Sequence, residues 1–450
     1  MADQLSRFKQ WLIQQRPFRV AWFAKDARVA SDTDQGLSEL PEDMVQPLLR
    51  ATNQLSTPPE EQQAVVEKLQ DAIARWLENP REISNSFVML AHPVSPIARI
   101  LAEGLTQLEA GAADLPSIRL LDWIERPIDP TEIQAQIASA LGRDSGDDSP
   151  GIAIIPDLCW CFLRSAEGLD GIDYLQEQLL EQPNQFWVIG SGQIGWEYLC
   201  STLKLDAYCR APLRAPGLDG EHLQQWLEPI VTKFDIYFSD TSLPERLNES
   251  EQLVSLERLT QRPLETATDL TQEASKAVQK TFESAKEQVL PGEEETQVTR
   301  AKQDYFKRLA DVSQGISTVA LQLFITSLRL LEVTEQGEPV AALDDDQEQT
   351  QNRENVERRI VAQAPVLPLL PDLSQNDLYL LYSLMLHGDL KLQALASSLG
   401  DSPQTVANQI QMLRNAGVVE QKDGIVKINP VHYPRLRRKL AKNNFIIEVP

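Results

Sequence analysis

Three groups of residues have the type and spacing to do chemistry. Asp157 closes the apolar run GIAIIPDL (151–158). A carboxylate there stands at the carboxyl end of a strand, where open α/β sheets bind ligands. About thirty residues on, Gly190-Ser191-Gly192-Gln193-Ile194-Gly195 fits G-x-G-x-x-G between a strand and a helix. That context suits a dinucleotide phosphate. The pattern also wants an acid at the end of the next strand, and Arg210 and Arg214 stand there. The motif also follows the fourth strand, not the first, and the glycines read more simply as a tight strand-to-helix turn. The third group is nucleophilic or metal-ligating. Cys159 and Cys161 alternate, and no histidine accompanies them at zinc spacing, so they read as small buried hydrophobes. His92, His222, His387 and His432 are scattered, and Ser191 lacks the G-x-S-x-G elbow. No catalytic residue, no metal and no cofactor is expected.

Elements must place these residues. SFVMLA (86–91), IRLLDWI (118–124), GIAIIPDL, FWVIGS (186–191) and AYCRAPLR (207–214) read as strands. Helical patterns separate them at Pro96–Leu108, Asp129–Leu141, Leu169–Leu180 and Gly195–Lys204. Such alternation implies βαβ units and a mostly parallel sheet flanked by helices, an α/β class. The whole chain divides into an N-terminal helical region (1–83), this core (84–245), an acidic insertion that is helical or disordered (246–304), a helical region (305–332), a linker (333–371) and a last domain (372–450). RVAWFA (19–24) reads as a short strand or helix edge, and Asp219–Phe238 as one helix.

The last domain has three helices, at Asn376–His387, Lys391–Leu399 and Pro403–Asn415. A hairpin follows, turning at Asp423-Gly424, and a basic helix ends the pattern at Tyr433–Asn443.

The 450 residues carry a net charge of −24. An acidic chain repels nucleic acid and anionic membrane in general. The charge is uneven. From Leu373 on, nine Lys/Arg face six Asp/Glu, and the rest of the chain carries −27. No apolar run is long enough for a transmembrane helix, and MADQLSRFKQWLIQQRPF lacks the core of a signal peptide. Four cysteines make no disulfide framework, so a cytoplasmic protein is expected.

Residues 374–434 resemble the MarR-like and related winged helix-turn-helix families, through Leu392, Leu395, Ala396, Leu399, Val406, Ile410, Leu413, Gly417, Val418 and the wing Val419–Ile428. The resemblance implies a recognition helix at Pro403–Asn415 that can enter the major groove. Gln404, Thr405, Asn408, Gln409 and Arg414 would face duplex DNA, with Lys422, Lys427, Arg437 and Arg438 on its phosphates.

Residues 84–331 resemble the P-loop ATPases of the AAA and STAND type. SFVMLAHPVSPIARIL would be the first strand, phosphate loop and helix, GIAIIPDL the Walker B strand, and FWVIGSG the sensor strand. LADVSQGISTVALQLFITSLRLL (309–331) resembles the helical lid. The resemblance places a nucleotide among His92, Arg99, Asp157, Gly190 and Ser191. The departure is large. AHPVSPIAR (91–99) has no glycine and two prolines where a phosphate loop needs glycines, Lys and Ser/Thr. No second acid follows Asp157.

The sequence therefore predicts a regulatory or scaffolding protein with a degenerate P-loop core and a winged helix. It is expected not to be an enzyme and to act through protein partners. Two alternatives stand beside it, a winged-helix transcriptional regulator and a weak nucleotide-binding ATPase.

Overall fold

The computed structural model describes residues 37–80, 84–111, 116–123, 126–127, 129–141, 149–238, 293–333 and 357–445. The expectation at 19–24, most of the acidic insertion and most of the linker lie outside them.

After β1 (Leu37–Ser38) and α1 (Glu42–Asn53), Pro58 and Pro59 open α2 (Pro59–Glu78). Proline is tolerated there because first-turn amides lack helical acceptors. The apolar stripe Val65, Leu69, Ile73 and Trp76 is buried. Next come β2 (Ser86–Ala91), α3 (Ile97–Gly111), β3 (Ser117–Leu120), α4 (Ile133–Leu141) and β4 (Gly151–Ile155). A 3-10 turn at Leu158–Trp160 leads to α5 (Asp170–Glu181), β5 (Gln185–Gly192), α6 (Gln193–Leu203) and β6 (Leu213–Arg214).

These strands form one parallel sheet in the order β3-β4-β5-β2-β6. The α/β expectation holds. Strands β2, β4 and β5 are buried along their whole length, which is why they read as unbroken apolar runs. Helices α2 and α3 cover one face, and α4, α5 and α6 the other. Strands β2 and β5 are neighbours, yet the helices that follow them go to opposite faces. The crevice between them is the switch point of the sheet.

The rest differs more from expectation. The segment 219–238 is α7 (Gly220–Lys233) followed by a strand, β7 (Ile236–Phe238). The lid-like stretch is α8 (Glu293–Ser313), a break at Gly315 with φ +69°, α9 (Ser317–Thr326), and then a strand, β8 (Leu328–Val333). Inside the expected linker lies β9 (Glu357–Ala362). Together they build a second sheet, β1-β8-β9-β7, which the sequence reading missed. Its strands run two to six residues. That is too short for a period-2 pattern to stand out beside adjoining helices.

A strap without helix or strand, residues 363–374, leads into the last domain. It reads PVLPLLP from Pro365. Leu367, Leu370 and Leu373 pack on the core, whereas Val366 and Leu369 are 51% and 77% exposed.

The domain comprises α10 (Gln375–His387), β10 (Asp389–Lys391), α11 (Leu392–Leu399), α12 (Pro403–Asn415), the hairpin β11 (Val419–Lys422) and β12 (Ile425–Ile428), and α13 (Tyr433–Lys442). Ser374 and Asp377 form a capping box at α10, and Ser402 caps α12. Asp423 and Gly424 take φ +52° and +78°, the double left-handed turn a tight hairpin requires. Strand β10 pairs with β12 and completes a winged-helix arrangement. No described helix is long and apolar enough to cross a membrane.

Candidate functional site

The switch-point crevice is bounded by the β2–α3 turn and the start of α6, in register at Ala91 and Gly192. The turn, His92–Pro96, is closed on itself. The Ser95 amide donates to the His92 carbonyl at 2.8 Å, and the Ile97 amide to the Ser95 carbonyl at 3.0 Å. Pro93 and Pro96 have no amide to donate. This turn has little left with which to cradle a phosphate.

What stands over the crevice is the chain's own winged helix. On the β2 side, the Tyr433 hydroxyl at the start of α13 lies 3.1 Å from His92 Nδ1, with the rings edge to face at 5.6 Å. On the β5 side, α10 comes so close that a Cβ added at Gly195 would lie 2.7 Å from the Leu386 carbonyl oxygen and 3.0 Å from Cys159 Sγ. A Cβ at Gly190 would lie 2.3 Å from the Pro156 carbonyl oxygen. Two of the three glycines in the G-x-G-x-x-G pattern are therefore explained by close packing of backbone. Ser191 is fully buried, and its hydroxyl donates to the Gly192 carbonyl at 3.2 Å.

Asp157 lies two residues past β4 and caps the 3-10 turn, accepting from the Cys159 amide at 2.9 Å. Burial pushes its carboxyl up to about 6, against the pull of the Cys159 amide and Arg126. Arg99, the cation nearest the turn in sequence, faces elsewhere. Its Nε donates to Glu103 at 2.7 Å and its Nη2 to the Leu55 carbonyl at 2.7 Å. It fastens α3 to the chain before α2.

The structure adds four residues the sequence reading left aside or mentioned only in passing. His387, at the end of α10, is fully buried against the Phe162 ring at 4.7 Å. Its Nε2 accepts from the Arg164 amide at 3.3 Å. Its Nδ1 lies 3.3 Å from Arg126 Nη2, a guanidinium nitrogen that only donates. Burial first, then Arg126 and Arg164, hold its pKa well below the ordinary histidine value. Arg164 Nη2 donates across the junction to the Ser398 carbonyl at 3.0 Å. Arg126 Nη2 donates to the Cys159 carbonyl, while its Nε and Nη1 are buried with no hydrogen-bond partner among the described residues. Tyr433 completes the set. These residues come from four separate stretches, and no local pattern links them.

On the outer surface, Gln404, Thr405, Asn408 and Arg414 of α12 are exposed, as are Lys422 at the wing and Arg438 on α13. Gln409 and Arg437, expected on the same face, are only 9% and 7% exposed. Gln409 lies on the inner stripe of α12 with Val406, Ile410 and Leu413, and Arg437 on that of α13. Lys427 pairs with Glu420 at 3.2 Å.

No family model and no curated protein matches the chain. Solved structures do. Cdc6p from Pyrobaculum aerophilum is 12% identical over 86% of this chain and 94% of its own, with a TM-score of 0.30. The Aeropyrum pernix ORC1 protein, solved in complex with DNA, is 13% identical over 89% and 97%, with a TM-score of 0.32. The Thermotoga maritima RuvB Holliday junction branch migration motor is 13% identical over 88% and 97%, with a TM-score of 0.26. These are likenesses of fold. One expectation is corrected: a structure the chain is similar to is described as a branch migration motor, and the reading of the chain as a non-enzyme is withdrawn.

Proposed function

We propose that the chain is a regulatory or scaffolding protein that acts through contacts with other macromolecules, its α/β core and winged helix working as one body. The observation that supports this reading is the filled crevice. Helices α10 and α13 stand beyond the ends of β2 and β5, where ligands of open α/β sheets bind. Thermal unfolding with and without about 1 mM Mg-ATP tests the filled crevice. No change in Tm is expected. A rise of roughly 2 °C or more that vanishes in Asp157→Ala would sink the reading.

Duplex DNA is the second reading, favoured by the polar outer face of α12. Asn and Gln side chains can read adenine edges, but Arg414 is the only cation of that helix. Anisotropy of a labelled duplex of about 30 base pairs, at roughly 50 and 200 mM salt, decides it. Binding that weakens with salt and is lost in Arg414→Glu/Lys422→Glu supports DNA recognition. Absence of binding at the lower salt removes it and leaves protein partners.

A further inference from the structure

The winged helix is seated on the strand ends through two histidines, His387 fully buried and His92 half-buried. His387 enters from α10 and meets Arg126, Arg164 and the Cys159 carbonyl, with Asp157, Asp389 and Cys161 nearby. His92 rises from the β2–α3 turn to meet Tyr433, with the guanidinium groups of Arg437 and Arg214 close by and Glu197 near Tyr433. Both imidazoles are neutral where they sit, and each faces arginines. A proton added to either puts a further positive charge beside those arginines, which Asp157, Asp389 and Glu197 offset only in part.

We propose that this junction is a proton-sensitive latch: acidification loosens α10 and α13 from the strand ends and uncovers the crevice, while the opposite side of the winged helix stays attached to α9. The inference stands on the docked junction alone and does not depend on whether the partner is protein or DNA.

The sign follows from what release does to each group. His92 is held down to about 4 by burial and returns toward about 6.5 when released, so at pH 5 release is favoured about thirty-fold relative to pH 8. His387 acts in the same direction. Asp157 opposes them. Its carboxyl, held up to about 6, favours the docked state on acidification by about ten-fold at pH 5. Two histidines against one carboxyl leave a net opening in acid. The opposite attachment gives a pivot, because the 3-10 turn Pro430–His432 and α13 share an apolar cluster with α9; His432, also held down to about 4 by burial, turns its Nε2 toward Gly417 of its own domain rather than toward the strand ends.

The test uses thiols already beneath the junction. Cys159 and Cys161 are 2% and 0% exposed, and Cys159 Sγ lies under the α10 contact at Gly195. In the full chain carrying Cys200→Ser/Cys209→Ser, labelling with 4,4′-dithiodipyridine is followed from pH 8 to pH 5, corrected for the reagent's rate on free cysteine. The expected result is a rise of about ten-fold or more at unchanged far-UV circular dichroism. His92→Gln, at a half-buried position, and His387→Gln should each blunt that rise. An unchanged labelling rate overturns the latch. So does a rise that tracks loss of circular dichroism, or one that both histidine variants keep in full.

Discussion

Against α9 the winged helix meets carbon; against the strand ends it meets carbon, at Phe162, and buried nitrogen and oxygen as well. On the first side Val319, Leu323 and Phe324 of α9 share one buried cluster with Leu381, Val431 and Leu436. On the second side stand His92, His387, Arg126, Arg164 and Tyr433, joined by hydrogen bonds and ring contacts. Apolar burial does not respond to protons, and each fully buried aliphatic side chain contributes ~1.5–3 kcal/mol. The polar side holds only while its histidines are neutral. One domain thus has a permanent attachment and a conditional one.

Removing the permanent side gives the largest effect. Phe324→Ala empties a fully buried position, and a loss of about 3–5 kcal/mol is expected in urea unfolding, nearly the same at pH 8 and pH 6. A loss that depends strongly on pH would erase the distinction between the two sides.

The α9 side also has a proton response of its own, with the opposite sign. Glu61 of α2 is buried beside Ser317 at the start of α9, and desolvation raises its carboxyl to about 7. Its folded pKa lies above the unfolded value, so the folded state binds more protons between about 4.5 and 7. Stability is fullest below that window and falls as pH rises through it, by roughly 3 kcal/mol from this group. Glu61→Gln should remove that part of the slope and raise stability at pH 8. If the variant keeps the wild-type slope between pH 5 and pH 8, the assignment fails.

Gly195→Ala sharpens the comparison from the polar side. Its methyl group meets the Leu386 carbonyl, so a loss of about 1–3 kcal/mol and faster Cys159 labelling at neutral pH are expected. Gly192→Ala is the control. There the nearest atom is 3.4 Å away, and the change should stay within about 0.5 kcal/mol. The smallest effect belongs to Arg414→Ala on exposed α12. Its Tm should match the wild type, and any change should appear only in duplex binding.

The sequence was most legible where one physical demand ruled a stretch. Strands β2, β4 and β5, buried on both faces, showed as apolar runs, and α12 with its hairpin stood out through Ser402-Pro403 and Asp423-Gly424. It was least legible where a demand is tertiary. Strand β8 continued the helical spacing of α9, and β9 lay in a segment of linker composition. The pattern at Gly190–Gly195 reports a need for small residues, which a phosphate and a packed carbonyl both impose. Nothing local marks His387, Arg126 and Arg164 as neighbours, because the chain brings them together over more than two hundred residues.

The strap before α10 bears on how the winged helix is aimed. Its prolines, Pro365, Pro368 and Pro371, and its anchored leucines, Leu367, Leu370 and Leu373, both recur every third residue. That is the pitch of a polyproline II screw, three residues to the turn. A screw has phase as well as length. One residue inserted after Pro368 would turn Leu370 and Leu373 by about a third of a revolution, out of the core and toward the solvent. With that repeat, the residue count of the strap decides which of its edges faces the core: Leu367, Leu370 and Leu373 hold one edge inward while Val366, Leu369 and Asp372 hold the other in water.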